Sequence, residues 1–370
     1  MHELRIALLA GGLGQRMGRL GQGRLKPLVP FGGACHLIDF SLHNARASGA
    51  REVLLMAQHN EAQLLRYLLA SWCQRPGFRV HFGLYNDAQP HTIEALFAER
   101  PRPPERGTAD ALIANAPYLF ERPERDLMVL HADHVYRFDY RPMLARHRAS
   151  GAALTLGYQR IAPEFVKLFG MVAFNAAGQL TQFVEKPAEP SSDTVFTAVC
   201  IFRRDILWRY LQALQQGGDW QHDISRDVIP AMLAGGERIV GHAFSGYWED
   251  IGTVPRYWQA HQRLLDATPS LRPDELPQTL APGWPMQRVQ AQGGVRHSLL
   301  PSDLRCEGAR IEHSVVYPGA QVAPGARVRH SVLLPGARVG PGDVLERAIV
   351  LEPGMPGAAQ GPLLMDQDFQ

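Results

Sequence analysis

The chain has 370 residues, 45% of them apolar, and a formal net charge of +2. It is long enough to bury a large core and divide into two domains, and a charge this near neutral suggests neither nucleic acid nor membrane as partner. Only Ile6–Ala10 precede the first glycines as an apolar run, too short for a signal peptide or a membrane span.

Cys35, Cys73, Cys200 and Cys306 form no pair spaced for zinc, so a reduced cytoplasmic protein is expected. Of the 38 basic residues only Lys26, Lys167 and Lys186 are lysine. Lysine is a compact charge on a flexible stem and arginine a planar fork, so these lysines are candidates for places where the fork does not fit. Lys26 and Lys186 fall within motifs, whereas Lys167 reads as an exposed helix residue.

Leu4–Leu9 is an apolar run ended by Gly11 and Gly12, the pattern of a buried parallel strand. Gly11, Gly12 and Gly14 carry no Cβ, so their amides can lie close against an oxygen-rich ligand, and Arg16 and Lys26 follow as cations. This suits a polyphosphate. It is neither a P-loop, which needs Gly-Lys-Ser/Thr, nor a dinucleotide fingerprint, which needs a third glycine where Arg16-Met17 stands. A tight turn without ligand is the alternative for the loop alone.

Residues 51–57 read as a strand, Glu61–Ser71 as an amphipathic helix and Arg79–Leu84 as a strand. Tyr85–Pro104 reads as a polar loop with a short helix near Thr92–Ala98. Gly107 permits close backbone approach, and Thr108 is expected to cap a helix over Ala109–Ala116. Leu127–Leu130 is a buried strand with Asp133 just beyond its carboxyl end, where open α/β sheets bind ligands. An aspartate there is placed to hold Mg²⁺ beside phosphates; His131 and His134 offer a rival metal reading that lacks a third ligand.

Further strands follow at Ala153–Leu156, Phe169–Phe174 and Leu180–Val184. On its own, Glu185-Lys186-Pro187 reads as a strand end with a surface ion pair. Tyr257–Leu265 closes an α/β domain, residues 1–265, with a mostly parallel, doubly wound sheet.

Residues 266–294, rich in Pro, Gln and Gly, read as a linker. After it the chain repeats: Arg296-His297-Ser298, Glu312-His313-Ser314 and Arg329-His330-Ser331 stand 16 and 17 residues apart, and Arg347 follows at 17 from His330. Val316, Val322 and Val328 recur every six residues between Pro-Gly turns. This predicts a short left-handed parallel β-helix of hexapeptide repeats over 295–357, with residues 358–370 as a disordered tail.

Gly-Gly-x-Gly-x-Arg, Arg24-x-Lys26-Pro27, Ile38-Asp39-Phe40, Arg106-Gly-Thr-Ala-Asp-Ala, Glu185-Lys186-Pro187 and Glu249-Asp250-Ile-Gly-Thr together resemble the sugar-1-phosphate nucleotidyltransferases. More narrowly they resemble the ADP-glucose pyrophosphorylase (glucose-1-phosphate adenylyltransferase) family, over roughly residues 4–357. The resemblance implies an α/β nucleotidyltransferase domain followed by the β-helix, and transfer from ATP to glucose 1-phosphate for glycogen or related glucan. It also implies Mg²⁺ as cofactor and a homo-oligomer, a tetramer in that family.

By the same resemblance Arg16 and Lys26 bind the triphosphate, Gly107 belongs to the loop closing the nucleotide side, and Asp133 and Asp250 hold the metal. Lys186 binds the sugar phosphate, Glu185 the sugar hydroxyls, and the Gly170 backbone lines the pocket. Departures fall at residues 86–91, at Pro104-Glu105, and at Phe196 and Ala198 where serine and glycine are usual. They touch selectivity, so the same chemistry on another base or sugar stays open, as does a non-catalytic regulatory subunit.

Overall fold

The computed structural model describes residues 1, 3–12, 14–57, 61–73, 75–82, 105–280 and 286–369. The loop and helix expected over 85–104, and with them the departures at 86–91, lie outside the described residues. By internal contacts the chain forms two compact units.

The first unit comprises Met1–Gly11, Ser41–Ala132 and Phe138–Gly246. Among the described residues its sheet has nine strands. Leu4–Leu9 lies between Glu52–Met56 and Asp126–His131, parallel to both, and Arg79–His81 continues the parallel run beyond Glu52–Met56. Both faces of this run are covered, which is why residues 6–9 and 127–130 are apolar without alternation.

Thr194–Arg203 joins Asp126–His131 antiparallel and bridges the run to Leu154–Arg160 and Gly170–Phe174. Leu180–Glu185 pairs antiparallel with Gly170–Phe174, and Ile239–Ala243 parallel with Leu154–Arg160. The core includes Leu112, Leu119, Leu207, Leu211 and Met232 from helical segments, packed with Leu54, Val129, Leu156 and Phe202 from strands.

The second unit comprises Gly12–Phe40, Asp133–Arg137 and Tyr247–Gln370. It contains a parallel β-helix whose rungs pair at offsets of 16 and then 17 residues, as in Val295↔Ile311, Ile311↔Val328 and Val322↔Val339. Ile311, Val316, Val322, Val328, Leu333 and Val339 are buried and form its interior.

The repeated His-Ser pair has a structural cause. His297, His313, His330 and Arg347 have φ between 44° and 48°, the left-handed turn at one corner of each coil. The three imidazoles stack with centroids 5.0 and 4.9 Å apart. Behind them Ser298, Ser314 and Ser331 are buried, and each hydroxyl accepts a backbone N–H from the next coil at 3.1–3.2 Å. Each corner is thus tied to the next, which offsets the cost of a left-handed L-residue, about 1–2 kcal/mol.

Two expectations need correcting. Met286–Gln292, expected as linker, is a strand paired antiparallel with Val295–Pro301. The tail expected to be disordered is ordered: Leu363–Leu364 pairs antiparallel with the Ala348–Val350 strand, and Met365–Asp368 is helical. Arg19 donates to the carbonyls of Gly361 and Pro362, and Arg24 makes a two-pronged ion pair with Glu352. The physical reason is the bare edge of the last coil, which a returning strand satisfies. Among the described residues no helix is long and apolar enough to cross a membrane.

Candidate active site

The glycine loop, the segment after Ala132 and the segment after Tyr247 meet within the second unit. Gly14 has φ +63°, and a Cβ there would lie 3.1 Å from Lys26 Cβ, so glycine lets the loop turn against Lys26. The Gly12 position faces Asp133, whose Oδ2 would be 3.9 Å from a Cβ there. Gly11 ends the stretch that belongs to the first unit.

Lys26 is 5% exposed, and its ammonium bridges two carboxylates, 2.8 Å from Asp133 Oδ2 and 2.9 Å from Asp250 Oδ1. Burial disfavours the Lys26 charge, but the two aspartates outweigh it and hold the pKa above its ordinary value. Burial likewise opposes the Asp250 charge, and the Lys26 ammonium outweighs it, so that carboxyl is held below its usual range. Gly252 leaves room for Arg16: a Cβ there would be 3.1 Å from Arg16 Nη2 and 3.5 Å from Asp250 Oδ2. Arg16, Lys26, Asp133 and Asp250 therefore form one charged centre.

The strand pairing explains how. His134–Tyr136 runs antiparallel to Trp248–Asp250, with Asp250 opposite His134. Glu249 points to the other face, where it accepts from Arg263 at 2.9 Å and from the Tyr247 hydroxyl. Two carboxylate oxygens on one cluster, with ligand atoms of Asp133, His134 and Asp250 all within 4.8 Å of one another, fit a hard divalent cation.

A second cluster forms in the first unit. Lys186 is exposed, has φ +52°, and stands 3.5 Å from Glu185 Oε1. Burial pushes the Glu185 carboxyl up; Lys186 opposes this and Asp223 adds to it. A Cβ on Gly170 would meet Phe183 Cζ at 2.9 Å and Glu185 Oε2 at 3.0 Å, so glycine leaves that carboxylate its place. Phe196 packs edge-on against Phe183, ring centroids 6.0 Å apart.

Gly107 is held by the same unit: a Cβ there would be 2.3 Å from the His222 carbonyl oxygen, which accepts from Ala109 N–H at 2.9 Å. Thr108 does not cap its own helix, which starts at Thr108 with Gly107 before it. Its hydroxyl instead accepts from Ile224 N–H and donates to Asp223. His222 Nδ1 is 2.8 Å from Asp110 Oδ1, fastening the turn to the helix a second time.

Residues 6–267 match the family described as Nucleotidyl transferase. The chain belongs to that family. Residues 285–353 of this nucleotidyltransferase match a GlmU-like C-terminal hexapeptide family. It is 53% identical to a valienol-1-phosphate guanylyltransferase of Streptomyces hygroscopicus subsp. limoneus, covering 87% of this chain and 88% of that one. It is 32% identical to a glucose-1-phosphate adenylyltransferase of Halalkalibacterium halodurans, over 86% and 82% of the two chains. A glucose-1-phosphate adenylyltransferase 2 of Alkalilimnicola ehrlichii is 30% identical, over 86% and 82%. The enzyme is a sugar-1-phosphate nucleotidyltransferase, with a nucleoside triphosphate and a sugar phosphate as its substrate classes.

Sequence reasoning named Arg16, Lys26, Asp133 and Asp250, which the structure brings together. It gave His134 only a rival metal reading and Gly252 only a place in a motif, and it gave Trp248 no role. The available signal was the strand alternation Trp248-x-Asp250, which sets the two side chains on one face.

Proposed function

We propose that this nucleotidyltransferase joins GTP to a cyclitol 1-phosphate of the valienol type, giving a GDP-cyclitol and pyrophosphate. The observation that carries this reading is the 53% identity to the guanylyltransferase, against 32% and 30% to the adenylyltransferases. The departures from the ADP-glucose pattern support it. Phe196 replaces a serine and lies against Phe183, which flanks Glu185. A cyclitol ring is a carbocycle, so placing it near an apolar wall leaves no ring oxygen without a partner.

In this reading an oxygen of the acceptor phosphate attacks the α-phosphorus of the nucleotide. The new P–O bond forms as the bond to the bridging oxygen breaks, and the electron pair leaves with pyrophosphate. No protein nucleophile takes part, so catalysis rests on alignment and charge neutralisation. We assign Arg16, Lys26 and the backbone of Gly11, Gly12, Gly14 and Gly107 to the nucleotide. Lys186 takes the acceptor phosphate, and Glu185 and Gly170 the acceptor ring. Asp133 and Asp250 would hold Mg²⁺, which when bound supplies charge neutralisation to the phosphates.

The second reading is adenylyl transfer to glucose 1-phosphate by a homotetramer in glycogen synthesis, favoured by the Arg106–Ala111 and Glu185–Pro187 motifs. Pyrophosphate release measured for GTP and ATP, each with valienol 1-phosphate and glucose 1-phosphate, separates them. The proposal expects kcat/KM for GTP with valienol 1-phosphate to exceed that for ATP with glucose 1-phosphate by ~10²-fold or more. A preference for ATP with glucose 1-phosphate overturns it.

A further inference from the structure

His134 and Trp248 have no part in the transfer as assigned above, yet they adjoin its charged centre. Their strands pair antiparallel, with His134 opposite Asp250 and Tyr136 opposite Trp248. Residues two apart on a strand share a face, so Trp248 and Asp250 both reach the side where His134 lies. Trp248 Nε1 is 3.2 Å from His134 Nδ1, with the rings at 87° to each other. Both residues are 8% exposed, so water does not compete freely for this bond.

An indole N–H can only donate. His134 Nδ1 must therefore accept, and the proton of the neutral imidazole sits on Nε2. Nε2 is the nitrogen turned toward the carboxylates, 3.7 Å from Asp133 Oδ1 and 4.0 Å from Asp250 Oδ1. By proximity Asp133, His134 and Asp250 look like a metal triad. The direction of the hydrogen bond argues otherwise: one imidazole lone pair is engaged by Trp248, and the other nitrogen carries hydrogen. A histidine that binds metal normally donates its second N–H to an oxygen acceptor. Here the second nitrogen accepts, the reverse polarity.

The geometry points to Trp248 as a positioning residue that fixes His134 as an N–H donor toward the carboxylate pair, not a metal ligand. Of the clustered Asp133, His134 and Asp250, the two carboxylates then remain as donors to a cation. Such a set suits Mg²⁺ and Mn²⁺ and withholds the nitrogen ligand that favours Zn²⁺, Co²⁺ or Ni²⁺. Metal choice would thus be set partly by a residue that never touches the metal.

The test uses the full-length protein. With ¹⁵N-labelled histidine, and His134 assigned by the signal lost in His134→Asn, Nε2 should show the one-bond N–H coupling and Nδ1 the shift of a bare ring nitrogen. Pulsed EPR of the wild-type protein titrated with Mn²⁺ should show no ¹⁴N coupling. Trp248→Phe keeps the ring and removes the donor, so Nε2 becomes free to lose its hydrogen and bind metal. That variant should gain ¹⁴N coupling, and chelator competition should show Zn²⁺ bound at least ~10-fold more tightly than by wild type. An Nδ1–H tautomer or ¹⁴N coupling in the wild type overturns the inference, as does a folded Trp248→Phe with unchanged Zn²⁺ affinity. If that variant does not fold, the two wild-type measurements decide it.

Discussion

Lys186 and Ala198 hold left-handed backbone, φ +52° and +59°, without being glycine. Each such position costs about 1–2 kcal/mol, so the surroundings must over-determine it. For Ala198 the sequence gives a clue, because glycine is usual there in the resembling family; the backbone turn stays while the residue has changed. For Lys186 the turn follows Glu185 at the end of its strand and leaves the ammonium exposed beside the Glu185 carboxylate. Lys186→Gln keeps a long polar chain but removes the charge. It should raise KM for the sugar-type 1-phosphate by at least ~10-fold with much less effect on KM for the nucleotide. Steady-state kinetics with each substrate varied in turn checks this, and an equal rise for both would reassign the residue. Lysine scarcity had marked Lys186 and Lys26 in the sequence; the strained turn at Lys186 had no sequence signal.

The Val254–Arg263 helix is the element that anchors the β-helix inside the second unit. Trp258 Nε1 donates to the His330 carbonyl at 2.6 Å, and Arg347 lies over the Trp258 ring at 4.5 Å. His261 is fully buried, with Nδ1 2.8 Å from the Tyr257 carbonyl and Nε2 2.7 Å from the Tyr317 hydroxyl and 3.1 Å from Gly32 N. Nδ1 donates and Nε2 accepts, so the ring is neutral, and burial pushes its pKa down to about 4. The unfolded chain, with an ordinary histidine, takes up a proton first as pH falls.

His261 therefore leaves stability intact above about pH 6.5 and lowers it progressively between 6.5 and 4, by about 3 kcal/mol in all. Denaturant midpoints at pH 7.5 and 5 should differ more for wild type than for His261→Asn. An equal difference would remove His261 as the cause. At this scale the hexad spacing made the β-helix legible, because an inward residue every sixth position is itself the geometry of a coil. The ordered tail was not legible: its apolar run of three, flanked by Gly, Pro, Gln and Asp, is too short to show that Leu363 and Met365 are buried. Its order depends on the open strand it finds, not on its own propensity.

At the scale of the molecule, Arg16, Lys26, Asp133 and Asp250 come from three stretches separated by about a hundred residues each. All of them lie in one compact unit. Their residue types and motif spacing could be read from the sequence because charge neutralisation of phosphates needs cations and carboxylates whatever the fold. The contacts that orient them could not, since the Trp248–His134 bond depends on pairing two strands 114 residues apart. Base selectivity was equally out of reach, its candidate residues lying at 86–91.

If the carboxylate pair bridged by Lys26 belongs to the machinery of nucleotidyl transfer, turnover depends on its charge. Asp133→Asn keeps the shape and the hydrogen-bond acceptor facing Lys26 while removing one charge. Turnover with saturating substrates and Mg²⁺ should fall ~10²–10⁴-fold with the melting temperature nearly unchanged. Near-normal turnover in a folded Asp133→Asn protein would contradict it.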